Sequence, residues 1–356
     1  MDFTYDEQQT AFRKALRTFV DKEIIPVANE WEKTGRYPTE IVEHMKAMGL
    51  FGITTPEEYG GLDLDKVSFT LVYEELARGW MGVAGILGSH NLSCWMIGKH
   101  GTDEQKKTLL PKLATGEWRT GVGLTEPGAG TDLQGIKTTA KRDGDHYVVN
   151  GAKTWITNAR HANVLPVLVK TDTTTTPAHK GMSLLLIDTT TDGFEVQRDM
   201  GKLGYKGTES CEITFTDVRV PVDAVLGGVE GRGLQQALSG LEIGRLNIAG
   251  RSVGIAQAAY DAALEYAKQR TAFGQPIAEF QAIQLKIADI ATQLQAARLM
   301  TYWAASQADS GKRVDMEAGM AKYFASEAAI TASLEAMRIH GGYGYIKEYP
   351  LEHHVR

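Results

Sequence analysis

The densest chemistry-capable run in this sequence is Leu124-Thr125-Glu126-Pro127-Gly128-Ala129-Gly130-Thr131-Asp132. Pro127 and two glycines fix an irregular backbone with several exposed N–H donors, and Thr125 and Thr131 add hydroxyls. Such a loop can hold an anionic or heteroaromatic ligand edge through main-chain bonds. It is not a dinucleotide fingerprint, because position 133 is Leu rather than Gly, and it is not a P-loop. The same residues also suit a plain turn at a strand end.

A second run follows at Asn150-Gly151-Ala152-Lys153-Thr154-Trp155-Ile156-Thr157-Asn158. Asn150-Gly151 reads as a turn that opens a strand. Period-2 alternation then puts Trp155 and Thr157 on one face. An indole beside a hydroxyl suits a planar conjugated cofactor, through stacking plus one hydrogen bond. A core tryptophan of a β-domain would present the same pattern.

The elements that must position these runs fall into three zones. Residues 1–118 read as helical. Thr4 and Glu7 have capping-box spacing, with Phe12, Leu16, Phe19 and Val20 recurring behind them. Further helices are expected from Pro38-Thr39 to Gly49, near Val67–Arg78, over Val83–Ile97 and over Asp103–Leu113. Residues 119–230 read as β. Gly144-Asp145 signals a hairpin, and Val164–Lys170, Met182–Ile187 and Cys211–Phe215 read as strands. Pro166 predicts that its strand starts late or lies at an edge. Residues 231–356 return to helix, in three long stretches. The first carries Gly240, Gly244, Gly250 and Gly254, which is tolerable where a helix or ligand approaches closely. The layout is α+β: an N-terminal helical domain, a middle β-barrel or sandwich and a C-terminal helical bundle. It is not the βαβ alternation of a nicotinamide-binding fold.

Composition narrows the classes. The 356 residues carry a formal charge of −6 and no basic block, which argues against nucleic-acid binding. No window approaches the ~20 apolar residues of a membrane span. The start, MDFTYDEQQT, lacks the charged and apolar regions of a signal peptide. Cys94 and Cys211 form no CxxC pair and read as small hydrophobes in a reducing compartment. The histidines show no metal-ligand spacing. A cytoplasmic enzyme fits, as does an organellar matrix protein.

Together, TEPGAGTD and NGAKTWITN resemble the FAD-dependent acyl-CoA dehydrogenase family. The remainder of the chain carries similar segments in order: Phe215–Pro221, Arg270–Gly274 with Phe280-Gln281, and Ile339–Tyr345. The resemblance implies α,β-dehydrogenation of an acyl-CoA thioester to the trans-2-enoyl-CoA, with hydride passing to FAD. Electrons then pass to electron-transferring flavoprotein, and the assembly is a homotetramer. By the same resemblance the loop Val122–Thr131, including Leu124, Thr125 and Gly130, binds the flavin ring, and Trp155, Ile156 and Thr157 pack on it. Thr131 also approaches the thioester. Arg270 reaches the FAD pyrophosphate of a neighbouring subunit, with Phe273 and Gln281 helping and Arg338, Gly341 and Gly342 adding contacts. Many relatives have Gln at the position of Arg338. Arg245 lies near bound acyl-CoA or bridges two helices, and Glu242 can also touch the ligand. An acyl-CoA oxidase and a non-catalytic FAD-binding assembly protein share the fold and are the alternatives.

The family's catalytic base sits either in a C-terminal segment or immediately before the residue matching Arg245. Here that second place holds Gly244. Glu242 lies two residues earlier and, at ~100° per residue, points roughly 200° away. No residue of this sequence is therefore expected to serve as the base. A glutamate beyond Arg356 is the expectation, against a natural short form without turnover or a nonstandard acid such as Glu242.

Overall fold

The computed structural model describes residues 5–356, which leaves Thr4 of the expected capping pair outside. Within them the first helix, α1 (Glu7–Phe19), is capped by Asp6 and Gln9, each side chain accepting the other's main-chain N–H. A π-helical turn at Val20–Ile24 leads into α2 (Ile25–Thr34). There follow α3 (Thr39–Ala47), α4 (Lys66–Gly79), α5 (Met81–His100) and α6 (Asp103–Ala114). Helix α5 is apolar on most sides and buries Val83, Ile86, Leu87, Met96 and Ile97.

Six strands form the middle region: β1 (Thr139–Asp143), β2 (His146–Ile156), β3 (Val164–Lys170), β4 (Met182–Asp188), β5 (Phe194–Asp199) and β6 (Cys211–Pro221). They make one sheet in the order β4-β3-β1-β2-β6-β5. Only the β1–β3 contact is parallel. Leu185 and Ile187 of β4 share a core with Ile213 and Phe215 of β6, so the sheet curls over its own interior. The expected barrel or sandwich is thus a single curled sheet.

Two local expectations are corrected. Asn150-Gly151 is not a turn, because β2 runs straight through it with a bulge between Val149 and Gly151. Gly151 has φ 145° and passes so close to Thr138 that a β-carbon would sit 2.5 Å from its hydroxyl. Glycine here serves a bulge, which resembles a turn in sequence. Nor does Pro166 delay its strand or place it at an edge. It pairs with Leu186 inside β3, and on the other side Gly123 N–H donates to its carbonyl at 2.9 Å. That flank meets an irregular segment that needs no donor from residue 166.

The last region holds α7 (Gly233–Gln269), a short hairpin of β7 (Thr271–Ala272) and β8 (Gln275–Pro276), α8 (Gln281–Asp309), α9 (Asp315–His340) and α10 (Leu351–Val355). Glu74 and Glu75 of α4 are buried and tie the two helical regions together. Glu75 takes Arg13, Arg17 and Arg78, while Glu74 takes Arg13, Arg298 and the Tyr302 hydroxyl. Burial works to raise the Glu75 carboxyl, but Arg13 and Arg17 outweigh it and hold it below its ordinary range. Among the described residues no helix is long and apolar enough to cross a membrane.

The glycines of α7 have different reasons. A β-carbon at Gly254 would lie 2.2 Å from the Glu74 carbonyl, at Gly250 2.8 Å from the Thr70 carbonyl, and at Gly240 2.7 Å from Met96 Sδ. Those three are packing glycines. At Gly244 nothing lies nearer than Leu92 at 3.9 Å, so space is left open. Gly254→Ala is expected to lose about 1–3 kcal/mol by overpacking. Gly244→Ala is expected to gain up to about 1 kcal/mol of helix propensity. Urea unfolding of the two variants checks the contrast.

Candidate functional site

The two chemistry-capable runs meet in space. Glu126 and Ala129 exchange two main-chain hydrogen bonds around Pro127-Gly128, at 2.9 and 3.1 Å, which closes a tight turn. Below it the Glu126 carboxylate is buried. It accepts from Lys137 N at 2.6 Å, from Thr138 N at 3.0 Å and from the Thr138 hydroxyl at 2.6 Å. Lys153, from the second run and 1% exposed, donates to the same carboxylate at 2.8 Å and to the Leu124 carbonyl at 3.1 Å. Thr154 N–H donates to the Thr125 carbonyl at 2.9 Å. A buried ion pair and a main-chain bond thus lock loop and strand into one platform.

Electrostatics follow from that burial. Desolvation works to raise the Glu126 carboxyl, and the hydrogen bonds from Lys153 and Thr138 outweigh it, so it is held below its ordinary range. Desolvation pushes the Lys153 ammonium down to about 8, with Glu126 opposing the fall.

Above the pair the platform is open. Trp155, at φ 63°, keeps 55% of its surface exposed. Gly130 and Thr131 are exposed, while Val122, Leu124, Thr125 and Thr157 are half-buried. Ile156 is turned into the sheet core, so only its main chain faces the platform. The platform is seated on α5. Asn158 donates to the carbonyls of Ile86 at 2.8 Å and Thr120 at 3.1 Å, and Ser93 donates to the Gly121 carbonyl at 2.7 Å. An exposed indole with hydroxyls and free loop backbone at its rim fits a flat heteroaromatic ring with a polar edge.

Glu242 and Arg245 sit elsewhere, on a groove of about 900 Å³ lined also by Lys99, His179, Lys312 and Arg313. Glu242 accepts from Val314 N at 3.0 Å at the start of α9, and Arg245 reaches Asp315 at 3.4 Å. Arg245 therefore does bridge α7 and α9 while facing the groove. A third group gathers around a cavity of about 450 Å³ that brings Arg270 together with Gly341, Gly342, His340 and Tyr343. The Arg270 guanidinium lies 5.8 Å from the Tyr343 ring centre. Phe273, at the tip of the β7–β8 hairpin, is 97% exposed, and Gln281 opens α8 on the surface. Arg338 points to Glu335. This cavity includes none of the platform residues.

Sequence reasoning missed Glu126, Lys153 and Asn158. All three were inside the two runs, and the signal was their polarity at positions destined for burial.

Family models for the N-terminal, middle and C-terminal domains of acyl-CoA dehydrogenase match residues 6–117, 121–218 and 231–356. A 3-(aryl)acrylate reductase of Clostridium sporogenes is 42% identical over 352 residues, covering 98% of this chain and 92% of that protein. The caffeyl-CoA reductase-Etf complex subunit CarC of Acetobacterium woodii is 41% identical over 355 residues, covering 99% and 93%. The structure of butyryl-CoA dehydrogenase from Megasphaera elsdenii superposes with a TM-score of 0.96 at 37% identity, covering 100% of this chain and 93% of that one. With its three regions matched in order and along their length, this chain belongs to the acyl-CoA dehydrogenase family.

Proposed function

We propose that this chain binds FAD and an acyl-CoA thioester and catalyses α,β-dehydrogenation to the trans-2-enoyl-CoA, exchanging electrons with electron-transferring flavoprotein. The observation that carries the reading is the platform: two separate runs locked by Glu126 and Lys153, with Trp155 exposed. Bound FAD supplies the hydride acceptor. Trp155 covers one ring face, and Ile156 contributes main chain. Thr125, Thr157 and the backbone of Val122, Leu124 and Gly130 hold the polar edge. Thr131, at the rim, also reaches the thioester. The cationic groove, with Lys99, Lys312 and Arg313 beside Arg245 and Glu242, suits the phosphates of coenzyme A. Relatives named as a 3-(aryl)acrylate reductase and a caffeyl-CoA reductase subunit support a reading in which this chemistry also runs in the reducing direction.

The cavity of Arg270, Gly341 and Gly342 lies apart from the platform and is proposed to hold the pyrophosphate of a neighbouring subunit's FAD, with Phe273, Gln281 and Arg338. A fully exposed phenylalanine on a stiff hairpin is costly unless it is covered. The outer face of α9 adds exposed Met316, Met320, Tyr323, Ile330 and Leu334. A homotetramer is the assembly that we propose. Phe273→Asp is then expected to shift the protein toward smaller species in sedimentation velocity. Cys94 and Cys211 are buried free thiols. They fit a reducing compartment, and the cytoplasm is the proposed location.

The proposed base is neither Glu242, whose carboxylate is engaged at α9, nor anything at Gly244, where only Leu92 comes within 4 Å. Anaerobic titration of the FAD-loaded protein with a panel of acyl-CoAs, followed by flavin absorbance, tests the reading. A perturbation of the flavin spectrum by at least one thioester is expected, and none from any of them would overturn the acyl-CoA reading. Bleaching that Glu242→Gln abolishes would overturn the exclusion of Glu242 as the base.

A further inference from the structure

Helices α5 and α7 run antiparallel, with Gly240 against Met96 and Gly244 against Leu92. Continuing along this seam, Gly88 and Gly85 of α5 form a notch. A β-carbon at Gly88 would lie 1.7 Å from Nη2 of Arg251 and 2.6 Å from Nδ2 of Asn247, and one at Gly85 would lie 1.7 Å from the Tyr205 hydroxyl. The two glycines thus make room for a guanidinium, an amide and a phenol.

Arg251 is 5% exposed. Its Nη1 donates to the Tyr205 hydroxyl at 3.2 Å, and its guanidinium lies 5.4 Å from the Tyr73 ring centre. Its buried Nε has no partner, nor has Asn247 Oδ1. Among the described residues no carboxylate pairs with Arg251, whereas the arginines around Glu74 and Glu75 are all paired. A buried cation without a counterion is costly. Tyr205 accepts from Arg251, which leaves its own proton free to donate, so the donors converge as an anion would require.

The notch lies on α5 next to the seat of the platform. Asn158, next to Thr157, is bonded to α5 at Ile86, between the two glycines. Gly244, Ile248 and Arg251 share one face of α7, and Ile248 and Arg251 line a cavity of about 490 Å³. From Gly244 to Arg251 the helix rises about 10 Å, which the arginine side chain shortens to the span of a short acyl chain.

We propose that Arg251, with Tyr205 and Asn247, is a specificity determinant for acyl-CoA thioesters whose acyl chain ends in a carboxylate, such as the short dicarboxylic monothioesters. The planar fork of arginine matches a carboxylate with two parallel bonds. This assignment rests on the acyl-CoA reading above.

Calorimetric titration of the FAD-loaded protein with succinyl-CoA and glutaryl-CoA, against butyryl-CoA and valeryl-CoA, separates the two. It measures binding, so it does not depend on the catalytic base. The carboxylated ligands are expected to bind at least about tenfold more tightly. Arg251→Met is expected to remove that preference, weakening the carboxylated ligands at least about tenfold relative to butyryl-CoA. Tyr205→Phe, which keeps the ring, should reduce the preference in part. Equal or tighter binding of the neutral ligands to the unaltered protein would overturn the assignment and leave the acyl-CoA reading standing. No binding of any of the four would overturn both.

Discussion

Glu126→Gln is expected to destabilise the folded, FAD-loaded protein by about 3–5 kcal/mol, read as a fall in the urea midpoint, because it strands the Lys153 ammonium without its counterion. Lys153 is 1% exposed and keeps only neutral acceptors, the Leu124 carbonyl and the amide oxygen of Gln, in place of a carboxylate. The two main-chain N–H groups of Lys137 and Thr138 also lose a charged acceptor. Replacing both partners, as Glu126→Leu with Lys153→Met, should recover much of the loss, since an apolar pair leaves no buried charge. The sign with pH follows from Glu126, whose carboxyl is held below its unfolded value. Its contribution is fully present above the unfolded carboxylate range of about 4.3 and is lost as pH falls through the folded value. The Gln variant should therefore lack that share of the acid-induced loss. Equal urea midpoints for the variant and the unaltered protein would show that the pair is not what locks the platform.

Arg270→Ala is expected to weaken FAD retention about tenfold to a hundredfold, in line with the loss of charge-assisted hydrogen bonds to a phosphate. Arg270 is the C-cap of α7, and its main chain is fixed on both sides. Its N–H donates to Tyr266 at 2.8 Å, and its carbonyl accepts from Ile277 at 2.8 Å. The hairpin beyond it turns on Phe273 at φ 54° and Gly274 at φ 85°. The side chain itself is exposed and supports no core. Its removal should therefore spare the unfolding midpoint of the apoprotein while FAD fluorescence appears in solution at lower dilution. Lysine at 270 should restore the affinity only in part, because it offers a point charge in place of a planar fork. Unchanged FAD retention in Arg270→Ala would remove this residue from the cofactor site.

The helices of the fold were legible where bounding residues and a regular apolar spacing coincided, as over Thr39–Ala47 between Pro38 and Gly49, and over Lys66–Gly79 and Asp103–Ala114 behind the caps Asp65 and Thr102. Helix α2 was not, because a π-helical turn breaks the spacing and Pro26 at its start resembles a break. Strand β5 was missed because it lies at the sheet edge and its residues 195–199 are mainly polar and exposed. The site was legible as two runs of unusual composition. What joins them was not: Glu126 and Lys153 meet across 27 positions, and nothing local distinguishes them from solvated charges. The spacing of the four α7 glycines did not separate Gly244, which leaves space open, from Gly240, Gly250 and Gly254, which serve packing. Arg251 was hidden for the opposite reason, since an arginine in a long helix ordinarily reaches solvent.

Helix α7 is 37 residues long and unbroken. It carries Arg245 at the groove near one end and Arg270 as its C-cap at the other, about 37 Å further along the axis. The helix is therefore a ruler as well as a scaffold. One residue inserted between these arginines would advance Arg270 by about 1.5 Å and swing it by about 100°, whichever residue was added. This interval is expected to hold a fixed count, so chimaeras between relatives should be joined outside it.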